Sequence, residues 1–281
     1  MSLTNQPDGY QVFRAFLEDA CGILLGENKA YLVNSRLKPV LAKHDISDLN
    51  QLVSKLTPTS GRALREEVID AMTTNETLWF RDAHPFNILK NNLFPELAEN
   101  LGFTPLKIWS AACSTGQEPY SIAITSKEYQ ESNPGKLKAG IKVVATDISS
   151  TVLAAAKSGL YEMLALGRGM SESRLKQHFN ALSDGRWEIK KEFKSLIDFQ
   201  ILNLMDGYQR VGSNFDIIFC RNVLIYFSPD LKREILIKMH ACLKPGGYLL
   251  LGASESLNGL SDYYEMEQCR PGIIYRAKSR N

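Results

Sequence analysis

Two acids and one loop of small residues carry the chemistry that can be read from this sequence. Residues 106–116 run Leu-Lys-Ile-Trp-Ser-Ala-Ala-Cys-Ser-Thr-Gly, an apolar stretch that opens into small side chains. After a strand, such a loop lets a ligand approach the backbone closely. It holds one glycine where a dinucleotide fingerprint has three, and no lysine follows as in a P-loop, so phosphate binding is disfavoured. Glu118 stands at the start of the next helical stretch. An acid there repels phosphate but suits an ammonium group; its plainer use is to complement a helix dipole. Asp147 follows a second apolar run, residues 141–146. A carboxylate at a strand tip is suited to ribose hydroxyls, and its plainer use is as a helix N-cap. Residues 244–247, Lys-Pro-Gly-Gly, make a turn into a further strand. Loop, acid and turn together point to a nucleoside-bearing cofactor held without a phosphate clamp. S-adenosylmethionine fits that description best.

These groups need a scaffold. Short β-rich runs at residues 106–111, 141–146, 199–202, 215–220 and 248–252 alternate with helical segments. That alternation predicts βαβ units and an open, mostly parallel sheet with helices on both faces. Residues 264–268 and 273–277 flank Pro271-Gly272 and predict a closing antiparallel hairpin. Between residues 158 and 194 the alternation stalls. Residues 163–179 read as helical, Ser183-Asp184-Gly185 as a turn, and Trp187-Glu188-Ile189-Lys190 as a short strand. The expectation is a small inserted subdomain projecting from the sheet edge, a longer helical connection being the alternative. Residues 10–72 read as several short helices, because Phe13, Phe16, Leu17, Ile23 and Leu24 recur at helical spacing, as do Leu32, Val33, Leu37, Val40 and Leu41. Asp48 or Ser47 is placed to cap one helix, and Thr59 or Ser60 another. The expected plan is a helical unit over residues 1–75, a cofactor-contacting segment over 76–90, and an α/β domain over 91–281 with an insertion at about 160–196.

Composition narrows the classes further. The chain has 281 residues, 44% hydrophobic and 23% charged, which excludes a disordered polymer. Its 33 basic against 31 acidic residues give net +2, too little for attachment to nucleic acid by overall charge. Five cysteines form no CxxC pair and no Cys/His metal spacing, so buried thiols in a reducing compartment and no metal are expected. No apolar run approaches the roughly 18–20 residues of a membrane span, and the acids Asp8, Glu18 and Asp19 precede the first short apolar stretch, unlike a signal peptide. A cytoplasmic, monomeric protein that is not membrane-inserted is the expectation.

Four motifs then stand in order: Thr73-Thr-Asn-Glu-Thr-Leu-Trp-Phe-Arg81-Asp, Trp109-Ser-Ala-Ala-Cys-Ser-Thr-Gly-Gln-Glu-Pro-Tyr-Ser121, Ala145-Thr-Asp-Ile148 and Phe219-Cys-Arg-Asn-Val-Leu-Ile-Tyr-Phe227. Together they resemble the CheR-type chemotaxis receptor methyltransferases, over nearly the whole chain. The resemblance implies methyl transfer from S-adenosylmethionine to glutamate side chains of membrane chemoreceptors, giving γ-glutamyl methyl esters and S-adenosylhomocysteine. It implies cofactor contacts at Asn75, Thr77, Arg81, Glu118, Asp147, Asn203, Leu204, Arg221 and Asn222. Asp147 would take the ribose, Glu118 the methionine ammonium or its neighbourhood, and Asn203 and Leu204 the adenine. Gln117 stands where many relatives carry an acid. A glutamate is ionised at pH 7 and needs no general base, which suits motifs without histidine. His84 follows Arg81 closely, with helix capping or a surface place as its plainer reading. Arg81 is placed to orient the attacking carboxylate, and Tyr226 either adds a hydroxyl contact or packs as a core aromatic in a helix after the fourth strand. The rivals are an amine or nucleic-acid methyltransferase and a catalytically silent adaptor. Cys220-Arg221-Asn222-Val223 stands where amino-methylating DNA enzymes carry Asn/Asp-Pro-Pro-Tyr/Phe.

The same resemblance implies docking of acidic receptor helices by the helical unit. Lys29, Arg36 and Lys43 are spaced by seven and would form one stripe on a continuous helix, which Pro39 threatens to break. Some relatives grip a receptor C-terminal pentapeptide with the inserted strands. Residues 179–190 are compact here and lack an extra glycine-containing segment, so no use of that tether is expected.

Overall fold

A computed structural model describes residues 8–57, 61–100, 102–257 and 259–279. The chain begins with four helices, α1 (Gly9–Cys21), α2 (Ala30–Lys43), α3 (Leu49–Leu56) and α4 (Arg62–Met72). Their apolar stripes meet in a core of their own, in which Phe13, Leu17, Val33, Leu37, Leu52, Leu56 and Val68 are fully buried. Asp8 caps α1 by accepting from the Tyr10 N–H, and Asp48, not Ser47, caps α3 by accepting from the Gln51 N–H. Thr59 and Ser60 lie outside the described residues. Pro39 does not break α2, which runs on to Lys43. Burial of Val33, Leu37 and Val40 on the helical core offsets a proline penalty of about 3 kcal/mol.

An irregular segment, residues 73–83, leads into α5 (His84–Ile88), one wide turn, and α6 (Phe94–Asn100). The α/β part follows: β1 (Leu106–Ala111), α7 (Gln117–Ser132), β2 (Ile141–Asp147) and α8 (Ser150–Ser158). After the inserted residues come β6 (Ile197–Ile201), β7 (Phe215–Cys220), α12 (Pro229–Cys242), β8 (Leu243–Leu251) and the hairpin β9 (Tyr264–Cys269) and β10 (Gly272–Ala277). The strand order is β6-β2-β1-β7-β8-β10-β9. The first five of these are parallel, and β10 is antiparallel to both neighbours. The expected open sheet with a closing hairpin is therefore the fold. Between β1 and β7 the chain reverses the side on which it adds strands, and the carboxyl ends there open a crevice. β8 begins earlier than expected: Phe215 pairs with Leu243 and Ile217 with Tyr248, so residues 244–247 form an irregularity inside the strand.

The insertion comprises β3 (Leu160–Tyr161), α9 (Met163–Leu166), α10 (Glu172–His178), β4 (Phe179–Ala181), β5 (Trp187–Ile189) and α11 (Lys191–Lys194). Its strands form an antiparallel sheet in the order β3-β5-β4. It does not project as a free arm. Tyr161, Phe179, Ile189 and Phe193 belong to the same buried cluster as α7 and the main sheet. Trp79 sits edge-on to Tyr161 and Phe179, at centroid distances of 4.9 and 5.4 Å. Arg174 donates to both oxygens of Glu128 on α7 and lies 3.7 Å above the Phe80 ring. The β4–β5 loop is compact, closed by the Leu182 N–H on the Arg186 carbonyl at 2.8 Å.

Candidate cofactor cavity

The crevice is roofed by the helical unit to give a cavity of about 340 Å³. Three parts line it: the turn after α1 with the inner face of α2, residues 72–81, and the carboxyl ends of β1, β2, β6 and β7. Asn75, Thr77, Arg81, Glu118, Asp147, Asn203, Leu204, Arg221, Asn222 and Tyr226 all stand on its wall, with Lys29 and Arg36. Lys43 does not; it pairs with Glu67 at 3.0 Å on the outer surface. His84 is absent from the lining and turns its Nδ1 toward the Asp82 carbonyl. No histidine lines the cavity among the described residues, and no group of three or more His, Cys, Asp or Glu is placed to hold a metal.

The loop after β1 is shaped for backbone access. Ala112, Ser114 and Gly116 all take left-handed φ values, of 60, 50 and 94°. A Cβ on Gly116 would stand 3.0 Å from the Ala156 Cβ, so the conformation and the close packing both call for glycine. The Ser114 N–H donates to Asp147 Oδ2 at 2.8 Å, and the Ser114 hydroxyl to the Asn75 carbonyl at 2.8 Å. Asp147 Oδ1 takes the Ser149 N–H at 3.1 Å, while Ser149 itself caps α8. Asp147 is thus free of helix capping. Burial pushes its carboxyl above the ordinary value, against the lowering effect of these N–H groups. Burial likewise pushes the Cys113 and Cys220 thiols well up, so both remain neutral and non-nucleophilic at pH 7.

The second wall is an ionic network. The Arg221 side chain is 1% exposed. Its Nη1 donates to Glu118 Oε2 at 2.9 Å, and its Nη2 donates to Asp82 Oδ2 at 2.7 Å and the Arg81 carbonyl at 2.9 Å. Glu118 also accepts from the Ser110 hydroxyl at 2.8 Å. Glu118 is therefore engaged on both oxygens rather than standing alone for an ammonium group. Arg221 Nε is buried and has no hydrogen-bond partner among the described residues. The strap it clamps is strained, with Phe80, Asp82 and Ala83 at positive φ. Arg81, half-buried, donates through Nη1 to the Glu76 carbonyl at 3.2 Å. Tyr226 lies on a single 3₁₀ turn (Leu224–Tyr226), not in a helix, and is half-buried.

Three contacts hold the helical unit at the cavity: one ties α2 to the end of α4 and the segment after it, and two reach the loops of the α/β part. Arg36 donates to the Met72 carbonyl at 2.6 Å and to Thr74 Oγ1 at 3.0 Å, which turns it inward. Asn203 Nδ2 donates to the Ala20 carbonyl at 2.9 Å. The Leu24 N–H donates to the Tyr226 carbonyl at 2.9 Å. Asp82 and Glu255 escape a reading of the sequence alone. The only local signal for Glu255 is its position three residues after Gly252 at a strand end.

Size and chemistry fit S-adenosylmethionine: a buried carboxylate for vicinal hydroxyls, small residues against one face, an orphaned guanidinium N–H, and no phosphate cradle. An open parallel sheet with a closing hairpin and this cavity at its switch point defines an S-adenosylmethionine-dependent methyltransferase. Comparison with known proteins agrees: "CheR methyltransferase, SAM binding domain" matches residues 75–273, and "CheR methyltransferase, all-alpha domain" matches residues 8–73. The chain belongs to the CheR methyltransferase family. It is 55% identical to chemotaxis protein methyltransferase 1 of Pseudomonas aeruginosa, over 96% of this chain and 97% of that one. It is 53% identical to the chemotaxis protein methyltransferase of Vibrio anguillarum, over 99% of both chains. The Salmonella typhimurium chemotaxis protein methyltransferase is 36% identical, over 85% of this chain and 80% of that one.

Proposed function

We propose that this protein is a cytoplasmic, monomeric protein-glutamate O-methyltransferase that esterifies glutamate side chains of methyl-accepting chemoreceptors during chemotactic adaptation. The supporting observation is a cofactor-sized cavity with arginines at its wall and, among the described residues, no histidine in its lining. A carboxylate nucleophile is ionised at pH 7, so a site for it needs orientation rather than a base. The bound cofactor supplies a methyl group on a sulfonium, and transfer leaves an ester and a neutral thioether. The chain's own residues do the rest. Asp147 accepts from hydroxyls, Arg221 with Glu118 fixes the strap, and Arg81 meets the incoming carboxylate with the donors that its Glu76 contact leaves over. Water exclusion under the helical roof strengthens these interactions.

Tritiated S-adenosylmethionine incubated with the protein and receptor-rich membranes tests this reading. Label should appear in receptor bands and be released by mild base as methanol. Base-stable label, or label in other macromolecules, would overturn it. In the same assay Arg81→Lys keeps the charge but loses the planar fork, and turnover at saturating cofactor should fall by about tenfold or more.

The helical unit is the proposed receptor-docking surface, with Lys29 at the cavity wall and Lys43, paired with Glu67, on the outer surface; Arg36 serves the interior. Lys43→Gln should slow receptor methylation measurably at low salt, the deficit closing as ionic strength rises, with S-adenosylhomocysteine affinity intact because Lys43 lies off the cavity wall. Arg36→Glu should damage both properties. A salt-independent deficit would argue against docking by these charges. The compact β4–β5 loop supports action without a pentapeptide tether, and micromolar binding of such a peptide by calorimetry would refute that.

A further inference from the structure

We propose that Glu255, in the loop after β8, is a positioning residue for methyl transfer; this rests on the reading of the cavity as the S-adenosylmethionine site. Glu255 is not among the residues that line the cavity. Its carboxylate instead bridges two loops. Oε2 accepts the Asn222 N–H and the Gly252 N–H, each at 2.8 Å, and Oε1 accepts the Val223 N–H at 3.0 Å. β7 and β8 deliver these loops side by side, since Cys220 pairs with Leu251 immediately before them. Three N–H groups thus converge on one anion, an arrangement that a neutral side chain reproduces only in part.

The backbone shows why this anion matters. Asn222 takes φ of 58°, a conformation that persists only where the surroundings over-determine it. Gly252 has no room for a side chain: an added Cβ would meet Glu255 Oε2 at 2.6 Å, the Asn222 N at 2.9 Å and Asn222 Nδ2 at 2.9 Å. Gly252 and Glu255 therefore act as a die against which Asn222 is pressed. Arg221 precedes Asn222 and Tyr226 follows it, both on the cavity wall. Releasing the loop misplaces the buried guanidinium, the Asn222 side chain and the Tyr226 hydroxyl together.

The test measures S-adenosylhomocysteine affinity by calorimetry on the full-length protein, the cofactor KM and kcat, and thermal unfolding of each variant. Glu255→Gln keeps one oxygen for two of the N–H groups and turns an amide donor on the third; Glu255→Ala keeps none. The dissociation constant should rise by about threefold to tenfold in Glu255→Gln and by more than about tenfold in Glu255→Ala, with cofactor KM rising in parallel. A purely structural role predicts a lowered midpoint with unchanged affinity in the folded protein, and that result overturns the proposal. Should Glu255→Ala fail to fold, Glu255→Gln decides alone, unchanged affinity again overturning it. Absence of heat with the wild-type protein would instead remove the cavity reading, and this proposal with it.

Discussion

Replacing Arg221 with methionine should destabilise the protein by about 3–5 kcal/mol and remove measurable S-adenosylhomocysteine binding. The guanidinium is almost wholly buried and joins two separate parts: α7, through Glu118, and the strap, through the Arg81 carbonyl and the Asp82 carboxylate. Methionine matches its length but leaves Glu118, only 13% exposed, as a buried anion whose remaining partner is the Ser110 hydroxyl. Breaking one half of such a pair costs more than never having built it, because desolvation persists after the attraction is gone. Asp82, at 32% exposure, is rehydrated more easily and adds less. Without the clamp the strained strap at residues 80–83 relaxes and takes Arg81 with it. Denaturant unfolding of Arg221→Met, alone and combined with Glu118→Leu, checks this. The double variant should recover part of the loss, and an Arg221→Met midpoint equal to wild type would show that the network holds nothing.

The second large effect belongs to Asp147. Its two oxygens are held in the cavity wall by the Ser114 and Ser149 N–H groups, and each carboxylate oxygen can accept more than one hydrogen bond. Asp147→Ala should weaken S-adenosylhomocysteine binding by about 1–3 kcal/mol, since hydroxyls buried with the ligand lose their acceptor. The pH dependence has a definite sign. Burial raises the carboxyl pKa, and the ionised form is the acceptor. Wild-type affinity should therefore hold at neutral pH and decline on acidification from a higher pH than an ordinary aspartate gives. Burying the charge also subtracts from stability at neutral pH, and that penalty shrinks as pH falls through the raised pKa. Calorimetric titration across pH for wild type and Asp147→Asn separates the two, because the variant should lose this dependence. An identical pH profile in both proteins would remove Asp147 from the site.

What could be read in the sequence was the part written locally. The loop from Ala112 to Gly116, the acid at the tip of β2 and the alternation of elements all declare themselves within one supersecondary unit. Pro39 misleads because local propensity favours a break, whereas tertiary burial of the neighbouring apolar residues keeps α2 whole. Arg36 misleads in the other direction. Its heptad spacing places it in a surface stripe, but its side chain finds the carbonyl of Met72, 36 residues away. Glu118 was legible as an acid near the ligand, not as the partner of Arg221, which lies 103 residues further on. Glu255 was silent for the same reason, since its three hydrogen bonds acquire meaning only once β7 and β8 lie side by side.

The contacts of the helical unit at the cavity tie the placement of these helices to the shape of the space beneath them. Arg36, Ala20 and Leu24 each grip a residue on the cavity wall or the backbone leading into it, and Gly22, at a left-handed φ of 74°, packs directly against the Leu231 side chain. A protein partner on these helices would act on the space beneath through these contacts, to the extent that it binds the filled and empty forms with different affinity. By reciprocity, the factor by which such a partner tightens or loosens the cofactor is the factor by which the cofactor tightens or loosens the partner.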